Sequence, residues 1–428
     1  MASGLLTDHY ELTMLDAALR NGVADQPCVF EVFGRRLPEG RRYAVVAGTA
    51  RLIELILDFT FTTEDVQWLV ANGVVGERAA QFLAGYRFGG DVDGYAEGEV
   101  FFPDSPILNV RGTFADAVVL ETLALSVLNH DCAIAAAAAR MTSAAAGRPI
   151  IEMGTRRTHE QAAVASARAA YLAGFAATSN LAAGRRFGVP TTGTAAHSFT
   201  LLHDDELTAF EHQVSTLGVG TTLLVDTYDI TRGIANAVTA AGPQLGAVRI
   251  DSGDLGVMAH QARAQLDSLG ASDTKIVVSG DLDEYAIAGL AAAPVDVYGA
   301  GTAVVVGSGA PTAGLVYKLV EVDGRPVEKR AEHKSSRGGA KGALRRHKST
   351  GTATEEVVYV VSGGTPEAMD GDRDLLRPFI RAGAAVEGLP TLDDSRHHLT
   401  QALVSLPWDG LKLSRGEPAI PTTVLTGA

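Results

Sequence analysis

The sequence predicts an α/β protein, a β/α barrel with a second, discontinuous α/β domain built from both chain flanks. Three observations lead there. Between residues 149 and 302, seven short strand-like runs alternate with helix-like segments, the rhythm of parallel β/α construction. The two flanks lack that rhythm and return to glycine- and proline-punctuated or alternating runs. The strand-like runs also end in polar, charged or glycine residues, where a β/α barrel gathers its functional groups.

In chain order, residues 1–110 hold runs such as Gly89–Tyr95 and Phe101–Asp104, assigned to the flanking domain. Residues 111–314 are assigned to the barrel. Its strand-like runs are Pro149–Gly154, Phe175–Asn180, Val189–Thr194, Thr222–Asp226, Ala247–Asp251, Lys275–Gly280 and Val295–Gly299. A helix is predicted over Thr158–Ala173, with Gln161 three residues after Thr158 in capping-box spacing and Gly174 closing the end. Another is predicted over Leu255–Leu269, ending at Gly270. Seven successive strands fit a barrel better than an open doubly wound sheet. Residues 315–428 resume strand-like alternation at Val316–Val320 and Glu356–Val360. The basic stretch from His333 to Lys348 reads as a solvated loop or hairpin.

Composition narrows the function. A hydrophobic share of 46% supplies a core, so disorder is not expected. The net charge of −14 argues against nucleic-acid binding, which needs a basic footprint, and anions would bind only where local groups overcome the field. Cys28 and Cys132 form no metal or disulfide pattern, which fits a reducing compartment. The N-terminus lacks the features of a signal peptide. The alanine-rich run Cys132–Ala139 stops at Arg140, short of the about 20 apolar residues of a membrane span. A cytoplasmic protein without membrane partners is expected.

Strand ends place Arg156, Asn180, His197, Asp226, Asp251, Asp281 and Thr302 at one mouth. In Arg249-Ile250-Asp251-Ser252-Gly253-Asp254 a cation and carboxylates share a glycine turn. Carboxylates there can hold Mg²⁺ that bridges to substrate phosphates, and an arginine fork suits a carboxylate or phosphate. The plainer reading has Asp254 capping the next helix and pairing with Arg249. Of the adjacent Arg156 and Arg157, at most one is expected to face the mouth, and Arg156 is chosen. Gly280 and Gly301 let backbone amides approach a phosphate. Asp226 either orients a histidine or binds metal, or else caps the helix through Asn236. His197 alone reads as a structural histidine. No Walker A, H-E-x-x-H or nucleophile-elbow pattern is present.

Six motifs appear in a specific order: Leu6-Thr7-Asp8-His9-Tyr10, Gly154-Thr155-Arg156-Arg157, Gly193–Phe199, Asp226-Thr227-Tyr228-Asp229, Arg249–Asp254 and Tyr298–Thr302. In that order they resemble nicotinate phosphoribosyltransferase, as does Tyr317–Glu321, and the resemblance runs from about residue 4 to 380. It implies an irregular β/α barrel beside a discontinuous domain. The implied reaction joins nicotinate to phosphoribosyl pyrophosphate, with ATP hydrolysis coupled through a phosphohistidine, in NAD salvage. By the resemblance His197 is the phosphate acceptor and Asp226 orients it. Tyr10 stacks on the pyridine ring, reaching the site of a neighbouring subunit in a homodimer. Thr194 and Arg249 contact nicotinate, Arg156 adds positive charge, and Gly280, Gly301 and Thr302 hold the ribose phosphate. Thr155 and Ser198 join the substrate-binding set, and Asp251 with Asp226 is implied as the Mg²⁺ site. Nicotinamide or quinolinate as the substrate, or a non-catalytic ligand-binding relative, are the alternatives.

Overall fold

The computed structural model describes residues 4–329 and 337–425. The chain forms two units, one joining Met1–Ala136 to Ala310–Ala428, the other Ala137–Gly309. The limits drawn from sequence were 110 and 315.

In the first unit, Pro27–Gly34 is the organising strand, and every residue after Pro27 is buried. It lies antiparallel between Leu315–Val322 and Leu108–Thr113, so segments almost three hundred residues apart share one sheet. That sheet has seven strands and extends through Asp91–Tyr95 to Leu376–Arg381. Phe30 stacks on Tyr317 with ring centres 4.9 Å apart, and the Tyr317 hydroxyl donates to the Ala117 carbonyl at 2.8 Å. A buried aromatic pair with its polar end satisfied stabilises both faces of the contact.

The basic stretch departs from expectation. His333 to Ser336 lie outside the described residues, but Lys341–His347 is a strand whose first five residues are buried. Arg345 is fully buried between Glu99 and Glu356, and Lys341 Nζ donates to both carboxylate oxygens of Glu31 at 3.0 and 3.1 Å. Buried charges persist only when paired, and pairing converts this stretch from a solvated loop into an interior strand.

The helix Glu121–Ala144 carries the chain from the first unit into the second. Arg140 does not end it, because its guanidinium is buried and Nε donates to Glu284 at 3.0 Å. One stretch among the described residues, Phe114–Ala144, is long and apolar enough to cross a membrane by length and composition, and 67% of its most apolar window is buried inside the protein.

The second unit is built on a parallel sheet of six strands. Their order is Ala177–Thr178, Ile150–Glu152, Val297–Ala300, Lys275–Gly280, Ala247–Ile250 and Thr222–Leu224. The sheet curls into a half-barrel, which bears out the predicted fold class. Lys275–Gly280 is buried at four of six positions, the continuous apolar run of a strand covered on both faces. The seventh run, Val189–Thr194, is not a strand. It makes a single bridge, Thr178 to Thr191, because Pro190 has no N–H to donate and Gly193 weakens further pairing.

Helix caps differ from the predicted ones in two places. The helix Glu160–Leu172 is capped by His159, whose Nδ1 accepts from the Gln161 amide at 3.3 Å, so Thr158 does not form the expected box. The helix Ile230–Ala241 is capped by Asp229, which leaves Asp226 for other work. Asp254 does cap Leu255–Ser268, accepting from the Val257 amide at 3.2 Å.

Candidate active site

Every strand of the second unit runs the same way, so the ends of the six strands meet at one edge of the sheet. A cavity of about 220 Å³ opens there, lined by Arg156, Thr194, Arg249, Asp251, Gly280, Asp281, Gly301 and Thr302 among the residues singled out from sequence. Thr155 and His197 are chain neighbours of the lining residues Arg156 and Ala196, and Ser198 is exposed in the first turn of the helix His197–Leu201. Tyr10 belongs to the first unit, where it is 46% exposed and is not a lining residue. Partial burial and the charges of Glu121 and Glu11 push its hydroxyl up, so the ring is a neutral phenol.

Arg249 is the most constrained group in the cavity. Its Nε donates to Ser279 Oγ at 2.7 Å, Nη2 to Asp251 Oδ1 at 2.8 Å and Nη1 to Thr194 Oγ1 at 3.2 Å. Ser279 Oγ donates in turn to Asp251 Oδ1. The local pairing of Arg249 is therefore with Asp251, and Asp254 is left to cap its helix. Burial opposes the charge of Asp251. The hydrogen bonds from Ser279 and Arg249, with the positive charge of Arg249, outweigh it and hold the carboxyl below its ordinary range.

Asp226 links this network to His197. Its side chain is 1% exposed, and Oδ2 accepts from the Asp251 amide at 2.9 Å and from Ser252 Oγ at 2.6 Å. Oδ1 is buried with no hydrogen-bond partner and lies 3.9 Å from His197 Nε2. At that distance the contact is electrostatic and not a hydrogen bond. The hydrogen bond to the imidazole comes from a residue without an assigned role, Thr227, whose Oγ1 is 3.1 Å from His197 Nδ1.

Arg156 and Arg157 both line the cavity, against the expectation that one would turn away. They sit in a 3₁₀ turn, Thr155–Arg157, where successive side chains fan out on a tight helix instead of alternating as on a strand. Neither guanidinium has a hydrogen-bond or ion-pair partner among the described residues. The turn is held from below. Glu152, 1% exposed, accepts from the Gly154 amide and from Thr178 Oγ1, and Asn180 Nδ2 donates to Thr155 Oγ1 at 3.2 Å. A Cβ on Gly154 would come within 2.3 Å of Val305 Cγ1 and 2.9 Å of the Gly301 carbonyl, so this position requires glycine.

Arg157, Thr227 and Ser279 were missed from sequence. Thr227 stands beside Asp226 in the Asp226–Asp229 motif, but Ser279 meets Arg249 only through register. Val277 pairs with Arg249 across the parallel strands, and Ser279 lies two residues further on the same face.

For a metal, the described residues contain no group of three or more His, Cys, Asp or Glu able to hold one. The unpartnered Oδ1 of Asp226 and the half-buried Asp251 fit an ion that takes one or two carboxylates and completes its shell with water and substrate phosphates, the habit of Mg²⁺. The cavity as a whole pairs two free guanidiniums with a third held edge-on, a receptor for anions inside an acidic protein.

Residues 5–129 match the N-terminal domain of nicotinate phosphoribosyltransferase. The chain is 60% identical to the nicotinate phosphoribosyltransferase pncB1 of Mycobacterium tuberculosis, over 99% of its own length and 95% of that protein. It is 39% identical to the nicotinate phosphoribosyltransferase of Bacillus subtilis, over 76% of this chain and 68% of that one. The solved structure of human nicotinic acid phosphoribosyltransferase superposes with a TM-score of 0.85 at 26% identity, covering 98% of this chain and 97% of the other. With a relative 60% identical along nearly its entire length, the chain belongs to the nicotinate phosphoribosyltransferase family.

Proposed function

We propose that this protein joins nicotinate to phosphoribosyl pyrophosphate, forming nicotinate mononucleotide and pyrophosphate, as a cytoplasmic step of NAD salvage coupled to ATP hydrolysis. The observation that carries the reading is the cavity lined both by the braced Arg249 and by the unpaired Arg156 and Arg157. One fork suits the carboxylate of a flat pyridine acid, and two free cations suit the phosphates of the sugar.

In this reading the nicotinate ring nitrogen attacks the anomeric carbon, and the bond to pyrophosphate breaks with its electron pair leaving on oxygen. Arg249, hydrogen-bonded to Thr194, orients the acid. Arg156 and Arg157 bind the phosphates, and Gly280, Gly301 and Thr302 make room for the ribose phosphate. Thr155 and Ser198, next in the chain to Arg156 and His197, complete the substrate-binding set. Asp251 and Asp226 would hold Mg²⁺, whose charge stabilises the pyrophosphate as it departs. No general base is needed, since the attacking nitrogen carries its own lone pair.

His197 takes the γ-phosphoryl group of ATP. The phosphorus–oxygen bond to ADP breaks, a phosphorus–nitrogen bond forms on the imidazole, and water later releases phosphate. Asp226 stabilises positive charge on the ring, and Thr227 fixes the orientation of its other nitrogen. Tyr10 of a second copy would supply the aromatic face for the pyridine ring in a homodimer.

The test is nucleotide formation from nicotinate, nicotinamide and quinolinate, each with and without ATP. Nicotinate is expected to be the preferred acceptor, with ATP raising its turnover, and a preference for either of the others refutes the assignment. Incubation with ATP labelled in the γ-position should leave an acid-labile label that His197→Ala abolishes. Labelling that persists in that variant removes His197 from the role.

A further inference from the structure

We propose that Ser279 is a positioning residue for substrate selection: its buried hydroxyl locks the Arg249 guanidinium so that a fork of two N–H groups stays free for a carboxylate. The inference rests on Arg249 as the receptor of the nicotinate carboxylate, and adds how that receptor is oriented.

A guanidinium carries five N–H donors in one plane. Three of them have protein acceptors here: Nε on Ser279, Nη2 on Asp251 and Nη1 on Thr194. The two that remain are one on Nη1 and one on Nη2. Ser279 closes the edge formed by Nε and Nη2, because its Oγ accepts from Nε and donates to the same Asp251 oxygen that takes Nη2. Arginine, serine and aspartate thus form a closed ring of hydrogen bonds. Ser279 is 2% exposed and the Arg249 side chain 13%, so the ring is largely shielded from water.

Without the hydroxyl, Nε loses its acceptor and the guanidinium can turn about its remaining bonds to Asp251 and Thr194. A carboxylate offers two acceptor oxygens to a fork. A carboxamide offers one oxygen and sets its own NH₂ against the second donor. Fork orientation is therefore what separates nicotinate from nicotinamide, and Ser279, a buried residue of the cavity wall, holds that orientation through Arg249.

The experiment compares Ser279→Ala, Ser279→Cys and Arg249→Ala in the full chain by steady-state kinetics, varying nicotinate, nicotinamide and phosphoribosyl pyrophosphate. Ser279→Ala is expected to raise KM for nicotinate about tenfold, the worth of one charge-assisted hydrogen bond. Its preference for nicotinate over nicotinamide should narrow by a similar factor, and kcat and KM for phosphoribosyl pyrophosphate should change much less. Ser279→Cys, close in size, should fall between the variant and the parent. An unchanged KM for nicotinate in Ser279→Ala, beside a raised one in Arg249→Ala, overturns the role of Ser279. So does an equal rise in KM for both co-substrates. If Ser279→Ala does not fold, an unchanged KM for nicotinate in Ser279→Cys overturns it instead. If Arg249→Ala itself leaves that KM unchanged, the receptor reading has failed rather than the positioning one.

Discussion

Replacing Asp226 with asparagine removes the charge that faces His197 and, with it, one of the two carboxylates proposed for Mg²⁺. Asparagine can keep its carbonyl oxygen toward the Asp251 amide and Ser252, where Asp226 accepts at 2.9 and 2.6 Å, so the loop carrying Asp251 stays anchored. What disappears is the negative charge 3.9 Å from His197 Nε2. Two unit charges about 4 Å apart attract by about 4 kcal/mol at an effective dielectric of about 20, and by about 1 kcal/mol in water. His197 is 42% exposed and Asp226 1%, so the interaction lies toward the lower end. A loss of about 1–2 kcal/mol corresponds to a fall of roughly 5- to 30-fold. Asp226→Asn is therefore expected to lower the yield of acid-labile label from γ-labelled ATP by at least that factor. Its melting temperature should stay near that of the parent. Labelling at the parent rate and extent would refute the argument that Asp226 supports positive charge on His197.

The paired change Arg156→Ala with Arg157→Ala should raise KM for phosphoribosyl pyrophosphate by roughly 10- to 100-fold, since each removes a cation free to bind phosphate. Kinetics that leave this KM unchanged would move the phosphate site elsewhere. A stability prediction concerns Glu99, 1% exposed, which accepts from Arg373 at 2.7 Å and His398 at 2.8 Å and is also paired with Arg345. Burial opposes its charge, but Arg345, His398 and Arg373 outweigh it and hold the carboxyl well below its ordinary 4.5. A depressed folded value means the stabilisation is complete above 4.5 and is lost as pH falls toward the folded value. Glu99→Gln should cost about 3–5 kcal/mol at neutral pH by urea unfolding, with the gap from the parent narrowing below about pH 4.5. A gap that does not change with pH would contradict the charged state of Glu99.

Much of the second unit was legible along the chain because parallel β/α construction writes itself locally. Lys275–Gly280 reads as a buried strand from its own apolar run, and its observed limits match. Val189–Thr194 looks like a strand because its β-type residues outnumber Pro190, whereas the sheet needs the N–H that proline lacks. The Lys341–His347 strand was hidden for a different reason. Charge predicts exposure unless partners are known, and Glu31, Glu99 and Glu356 lie far away in sequence or on a neighbouring strand.

The sequence alone determined the fold class, the family and six of the seven strand-end residues, all but His197, because strand-like runs, turn glycines and ordered motifs are local properties of the chain. Tertiary structure decided how those residues divide the work. Only strand register brings Ser279 to Arg249, only the 3₁₀ turn brings both Arg156 and Arg157 to the cavity, and only packing leaves Asp226 Oδ1 unpartnered beside His197. Hydrogen bonds between separate strands depend on distances that no local pattern encodes, and the selectivity argued for Arg249 is made of such bonds.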